Sequence, residues 1–267
     1  MTEARMQETP EIKPGNFCWV ELGTSDSNAA KSFYSQLFGW EFQDSPMGPD
    51  MTYTMLQLGG KEVGGLYKLM PDMVEQGIPP HWLTYVAVTN ADEKVEKAKA
   101  EGATIMNGPF DVATHGRMAV IKDPTDAVFA IWQPLDTAGS SVWGVPGAAT
   151  WSELGTHDTE RAGEFYSNVF GWTRQPFGDS PMPYTLFNND GKGIGGMYRL
   201  MPEMGPLPPN WLVYFSVEDA DATVQKATEL GAHVMKPAED IPGVGRFAIL
   251  NDPQGAAFAI IKTQPHG

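Results

Sequence analysis

The 267-residue chain sets 33 acidic against 18 basic residues, a net charge of −15. Such a balance repels nucleic-acid phosphates and anionic membrane surfaces, and no apolar run reaches the roughly 18 residues of a spanning helix, so nucleic acid and membrane are set aside as partners. Cys18 is the single cysteine, which excludes an intramolecular disulfide and fits a reducing, cytoplasmic setting.

Residues 1–16 show no periodic apolar signal and read as a loose arm. Phe17 to Leu22 is rich in aromatic and branched residues and reads as a strand, with Phe17, Trp19 and Glu21 on one face and Cys18 on the other. Asp26 is placed to cap a helix whose apolar stripe is Ala30, Phe33, Tyr34, Leu37 and Phe38, stopped by Gly39. Three strands follow, Trp40 to Gln43, Thr52 to Leu58 and Glu62 to Met70, the last two joined by a Gly59-Gly60 hairpin turn. A Pro-rich connection over 71–80 leads to a strand at Trp82 to Val88, a helix at Ala91 to Glu101 stopped by Gly102, and strands near 104–106, 117–122 and 127–132. Strand, helix and three strands thus occur twice within the first domain, residues 17–133.

Residues 134–149, rich in Gly, Ser and Pro, read as a linker. The series then returns over 150–263. Trp19, Glu21, Gly23, Phe33, Tyr34, Gly39 and Trp40 recur 132 positions later as Trp151, Glu153, Gly155, Phe165, Tyr166, Gly171 and Trp172. At an offset of 131, Gly64, Gly65 and Tyr67 return as Gly195, Gly196 and Tyr198. At 129, Trp82, Leu83, Tyr85, Gly116, Arg117, Asp123 and Pro124 return as Trp211, Leu212, Tyr214, Gly245, Arg246, Asp252 and Pro253. A period of this length is a whole domain written twice, each copy long enough to bury a core of its own.

A doubled βαβββ unit per domain, with an Asp-capped Phe-Tyr helix and a Gly-Arg, Asp-Pro final hairpin, resembles the vicinal oxygen chelate superfamily of glyoxalase I, bleomycin resistance proteins and extradiol dioxygenases. The resemblance is nearest to fused two-domain members labelled as glyoxalases. It implies an α+β fold of four modules, with two curled mixed sheets that each enclose a cleft.

Enzymes of that superfamily hold a divalent metal on the first, fourth, fifth and eighth strands of a cleft. Carried onto this chain, those positions fall on Trp19, Gly65, Leu83 and Ala130, and on Trp151, Gly196, Leu212 and Ala259. None supplies an oxygen or imidazole ligand, and none of His81, His115, His157, His233 and His266 has a counterpart in the other copy. No metal and no other cofactor is therefore expected. Strand alternation instead lines the first cleft with Trp19, Tyr67, Leu83, Tyr85 and Trp132, and the second with Trp151, Tyr198, Leu212 and Tyr214, around Glu21 and Glu153 respectively. A carboxylate among aromatic rings is desolvated and pushed toward general-base range; the alternatives are an ion pair with Arg117 and Arg246, or a strand end open to water.

Two functions follow from this make-up. One is a glyoxalase- or bleomycin-resistance-like protein that holds a small aromatic or apolar molecule in metal-free clefts. The other is a lyase, isomerase or dioxygenase of the superfamily, working through an unrecognised metal or through Glu21 and Glu153 as general bases. A scaffold using exposed aromatics such as Trp143 is a third reading, and a homodimer stays open.

Overall fold

The computed structural model describes residues 12–48, 51–178 and 183–264. The first half runs β1 (Phe17–Thr24), α1 (Ser27–Phe38), β2 (Glu41–Gly48), β3 (Met51–Leu58), β4 (Lys61–Lys68), α2 (Pro71–Glu75), β5 (His81–Ala87), α3 (Ala91–Ala100), β6 (Thr104–Val112), β7 (Gly116–Lys122) and β8 (Val128–Pro134). The second half repeats it as β9 (Ala149–Thr156), α4 (Thr159–Phe170), β10 (Thr173–Phe177), β11 (Tyr184–Asn189), β12 (Lys192–Arg199), a 3₁₀ turn at Pro202–Met204, β13 (Asn210–Ser216), α5 (Ala220–Glu229), β14 (His233–Ile241), β15 (Gly245–Asn251) and β16 (Ala257–Thr263). The short α2 falls inside the connection expected to be irregular; its proline occupies the first helical turn, where a missing N–H costs nothing.

Local chemistry accounts for the long elements. Asp26 accepts from the amides of Asn28 and Ala29 to start α1, and Gly39 ends it at φ 77°. Asp158 and Gly171 do the same for α4. Gly59 and Gly60, both at positive φ, close the β3–β4 hairpin. Each half forms one eight-stranded mixed sheet, in the orders β2-β3-β4-β1-β5-β8-β7-β6 and β10-β11-β12-β9-β13-β16-β15-β14, one of them strongly curled. At the centre of the first sheet β1 and β5 run antiparallel, flanked by the parallel pairs β1–β4 and β5–β8.

The cores are not divided as the repeat suggested. The two largest hydrophobic clusters each draw on both halves: Val20, Phe33, Tyr34, Trp40 and Trp82 pack with Phe215, Leu250 and Phe258, while Ile121, Phe129 and Val95 pack with Phe165, Tyr166, Trp172 and Trp211. Each half therefore has its helix-bearing face buried on the other half. The repeated Tyr and Asp residues lock this arrangement: Tyr34 Oη donates to Asp252 at 3.0 Å and accepts from Trp82 Nε1 at 3.0 Å, and Tyr166 Oη donates to Asp123 at 2.8 Å and accepts from Trp211 Nε1 at 2.7 Å. Thr84 and Ser152 hydroxyls meet at 3.1 Å between the central strands β5 and β9.

The chain ahead of each half is also tied in. Trp172 Nε1 donates to the Gly15 carbonyl and Trp40 Nε1 to the Gly147 carbonyl, at 2.8 and 2.7 Å, so the repeat extends back into the segments read from sequence as arm and linker. Residues 1–11 and His266 lie outside the described residues. Trp143, expected to be exposed, is half-buried against both shared clusters. No helix among the described residues is long and apolar enough to cross a membrane.

Candidate functional site: a carboxylate among phenols

The face of each sheet turned away from the shared core carries a smaller cluster. In the first half it is built on Trp19, Leu83, Tyr85 and Ala130, with Met55, Met118 and Trp132 packed against them. The register of β1 explains the grouping: Glu21 lies opposite Gly65 on one side and Leu83 on the other, and Trp19 lies opposite Tyr85. Glu21 is half-buried and its Oε2 accepts from Tyr85 Oη at 2.8 Å. A second phenol, Tyr53, also hydrogen-bonds Glu21, and its oxygen accepts from Trp19 Nε1 at 3.2 Å. The Tyr53 ring crosses β4 where Gly65 has no side chain; a β-carbon there would stand 1.9 Å from Tyr53 Oη.

The second half repeats this cluster closely. Glu153 Oε2 accepts from Tyr214 Oη at 2.8 Å and is hydrogen-bonded by Tyr184, whose oxygen accepts from Trp151 Nε1 at 3.1 Å. Tyr184 crosses Gly196, where a β-carbon would stand 2.0 Å from its oxygen. A third phenol completes each group: Tyr67 and Tyr198 are half-buried and close enough to feel the charge of Glu21 and Glu153. Their rings lie over Gly23 and Gly155, whose β-carbons would meet the two phenol oxygens at 2.9 and 3.0 Å.

Burial dominates the electrostatics. It raises the proton affinity of Glu21 and Glu153, and the two tyrosine hydrogen bonds on each carboxylate oppose it. Burial and the adjacent carboxylate push Tyr53, Tyr85, Tyr184 and Tyr214 well above the usual phenol range, and Tyr198 up to about 12. These phenols stay protonated as hydrogen-bond donors at neutral pH. Neither glutamate pairs with an arginine: Arg117 binds Asp92 and Asp111 at 2.8 Å each, and Arg246 binds Asp221 at 2.7 Å and Asp240 at 3.2 Å, fastening a helix to the edge hairpin in each half.

Most of the residues expected around the clefts are brought together, with four differences. Phe17 is not among them. A bulge in β1, where the step from Phe17 to Trp19 is matched by only Val86 to Tyr85, breaks the alternation. Phe17 turns into the shared core against Trp172 and Trp211, 5.6 and 5.2 Å between ring centroids, and Cys18, expected to point away, joins the Trp19 cluster with 1% exposure. His81, set aside in the sequence because it has no counterpart in the other copy, opens β5 on the face of Leu83 and Tyr85; its Cε1 would be 3.1 Å from a β-carbon on Gly23, beside Tyr67 Oη. Its Nδ1 lies 2.8 Å from the Pro79 carbonyl, and burial lowers its pKa. The floor of the first cleft is also packed rather than hollow, with Trp19 and Tyr85 only 8% and 2% exposed. Tyr53 and Tyr184 were missed, although they recur at the offset of 131 that relates Gly65 to Gly196. Trp132 remains at the rim, half-buried over Gly116, its Nε1 donating to Thr137 O at 2.9 Å.

The family model described as Glyoxalase/Bleomycin resistance protein/Dioxygenase superfamily matches this chain twice, over residues 17–131 and 149–260. The chain belongs to that superfamily. It is 38% identical over 262 residues to a Mycobacterium tuberculosis protein named "Putative glyoxylase CFP32", covering 97% of this chain and 99% of the relative. It is 34% identical to the anthracycline biosynthesis protein DauV of Streptomyces sp. strain C5, covering 93% and 94%. Among solved structures, the Mn(II)-bound glyoxalase from Novosphingobium aromaticivorans superposes with a TM-score of 0.64 at 18% identity, covering 94% of this chain and 82% of that one. The 2,3-dioxygenase LapB from Pseudomonas sp. KL28 gives 0.65 at 10% identity, covering 96% and 95%. At such identities the structural likeness speaks for the fold alone.

A divalent metal implied by this superfamily does not fit the residues present. The strand positions that would hold it carry an indole, a glycine, an isobutyl group and a methyl group, and the remaining donors are one carboxylate and three protonated phenols in each half, joined in the first half by the single imidazole of His81. Among the described residues no group of three or more His, Cys, Asp or Glu side chains is placed to hold an ion.

Proposed function

We propose that each cleft binds one small aromatic or apolar molecule without a metal, oriented by hydrogen bonds from the Glu–Tyr cluster. The observation that carries this reading is the exchange, in both halves, of the superfamily's ligand positions for aromatic and aliphatic groups around a carboxylate already held by two phenols. Glu21 and Glu153 keep acceptor capacity beyond those two bonds. Tyr67 and Tyr198 make no hydrogen bond among the described residues, so their hydroxyls are left to donate to a ligand. Apolar contact comes from the half-buried Trp132 in the first cleft and Trp151 in the second. Two relatives named for anthracycline biosynthesis point to flat fused-ring molecules as a class to try first.

A second reading, general-base enzymology, is favoured in the first half by His81. An Nδ1–H held on the Pro79 carbonyl leaves Nε2 as a free base near Tyr67, and burial keeps the ring neutral. Calorimetric titration with fused-ring phenols and quinones separates the readings from a plain fold likeness. Binding with two sites per chain, weakened about tenfold per site by Tyr67→Phe and Tyr198→Phe, is the expected result; turnover lost in His81→Asn and kept in Tyr198→Phe would favour the enzyme. Absence of binding to any such molecule would overturn both.

A further inference from the structure

One of the differences between the two clefts is a cation. Lys236, on β14, holds its Nζ 5.3 Å from the centroid of the Phe247 ring. Phe247 and Tyr214 lie 6.2 Å apart with 31° between their planes, and Tyr214 is the phenol that donates to Glu153. The ammonium therefore stands at one end of an aromatic floor whose other end is the carboxylate, with Trp151 packed against the same cluster. It is near enough to Glu153 to lower that group's proton affinity against the dominant effect of burial. At an offset of 129 the first half has Asn107 for Lys236 and Met118 for Phe247, while Tyr85 matches Tyr214. The register confirms the match: Asn107 lies opposite Val120, and Lys236 opposite Ile249.

Lys236 already has an acidic partner, Glu239 at 2.7 Å, with side chains 37% and 53% exposed. A pair so open to water holds little net strength, and an incoming anion can take the place of Glu239. Building on the reading of the clefts as small-molecule sites, we infer that the second cleft selects a flat aromatic molecule bearing an anionic group. The ring lies against the floor of Trp151 and Phe247, and the anion meets Lys236. The first cleft, with a neutral amide in that place, takes uncharged molecules. Glu153 at the far end of the floor adds direction, because an anion at its side is repelled while a hydroxyl can donate to it.

Calorimetry with 2-naphthoate and its uncharged isostere 2-naphthamide, on the full chain, tests this. The wild-type protein should bind naphthoate at one site at least tenfold more tightly than at the other, with an affinity that falls as salt is raised. Lys236→Asn should abolish that preference and weaken naphthoate at least tenfold more than naphthamide, and Asn107→Lys should create a second naphthoate site. Glu239→Gln, which frees the ammonium, should tighten naphthoate several-fold, a gain that misfolding cannot produce. Equal binding of both probes, unmoved by Lys236→Asn and Glu239→Gln, would overturn the selectivity while leaving the clefts as binding sites. Silence of both probes would count against the clefts themselves and take the selectivity with them.

Discussion

In the first cleft Glu21 is held by Tyr85 and Tyr53, with Trp19 bonded to the second phenol; in the second, Glu153 is held by Tyr214 and Tyr184, with Trp151 in the same place. Around these matching centres the rims have parted. His81, Met118 and Trp132 lie about one, with Asn107 in the register position of Lys236; Lys236, Phe247 and Ile261 lie about the other, with Asn210 in the register position of His81. A buried carboxylate is costly unless its hydrogen bonds are met, so the inner cluster tolerates few changes, whereas rim residues can vary without orphaning a polar group. The lesson is that the two halves share a way of holding a ligand and differ in which ligand is held.

The largest effect is expected where the two halves lock together. Tyr34→Phe and Tyr166→Phe each leave a buried aspartate and a buried indole N–H short of a partner, at about 1 to 3 kcal/mol for each group. Chemical denaturation should show a loss of about 2 to 6 kcal/mol for either variant, in a single transition for the whole chain because the cores are shared. Separate transitions for the halves would contradict the joint cores.

Gly65→Ala and Gly196→Ala come next. The added methyl must expel Tyr53 or Tyr184 from its carboxylate, at a cost of about 1 to 3 kcal/mol. Each variant should lose ligand in its own cleft alone, read as a halved stoichiometry in titration; loss in both would mean the clefts are coupled.

Glu21→Gln and Glu153→Gln should change stability by less than about 1 kcal/mol at mildly acidic pH, since the isosteric amide still offers an oxygen to Tyr85 or Tyr214. Their effect is on the pH dependence. In the folded state burial raises the proton affinity of each glutamate. Between the ordinary carboxylate range and that raised value, the folded chain keeps a proton the unfolded chain has lost, and stability falls as pH rises through the window. Each Gln variant should remove its share of that fall in urea melts across the window.

Much of this was legible in the sequence. Caps at Asp26 and Gly39, the Gly59-Gly60 hairpin and the doubled βαβββ order follow from local chemistry that a chain carries in its residues. The glutamates and most of their aromatic neighbours followed from alternation. Alternation failed at Cys18, because a bulge is a two-strand event that one strand's pattern does not display. The shared cores were not legible either: an apolar helix stripe states that it is buried, not against which sheet, so Tyr34 gave no hint of Asp252 218 positions away. Tyr53 and Tyr184 reach their carboxylates only through the space left by glycines on the neighbouring strand, a relation between three strands that becomes visible once the sheet is assembled.

Elemental analysis of protein purified without chelators addresses the central claim most directly. Protein with metal-free clefts should carry far less than one equivalent of manganese, iron, nickel or zinc per chain, unchanged in Glu21→Gln and Glu153→Gln. One or two equivalents, lost in those variants or on dialysis against a chelator together with ligand binding, would contradict it.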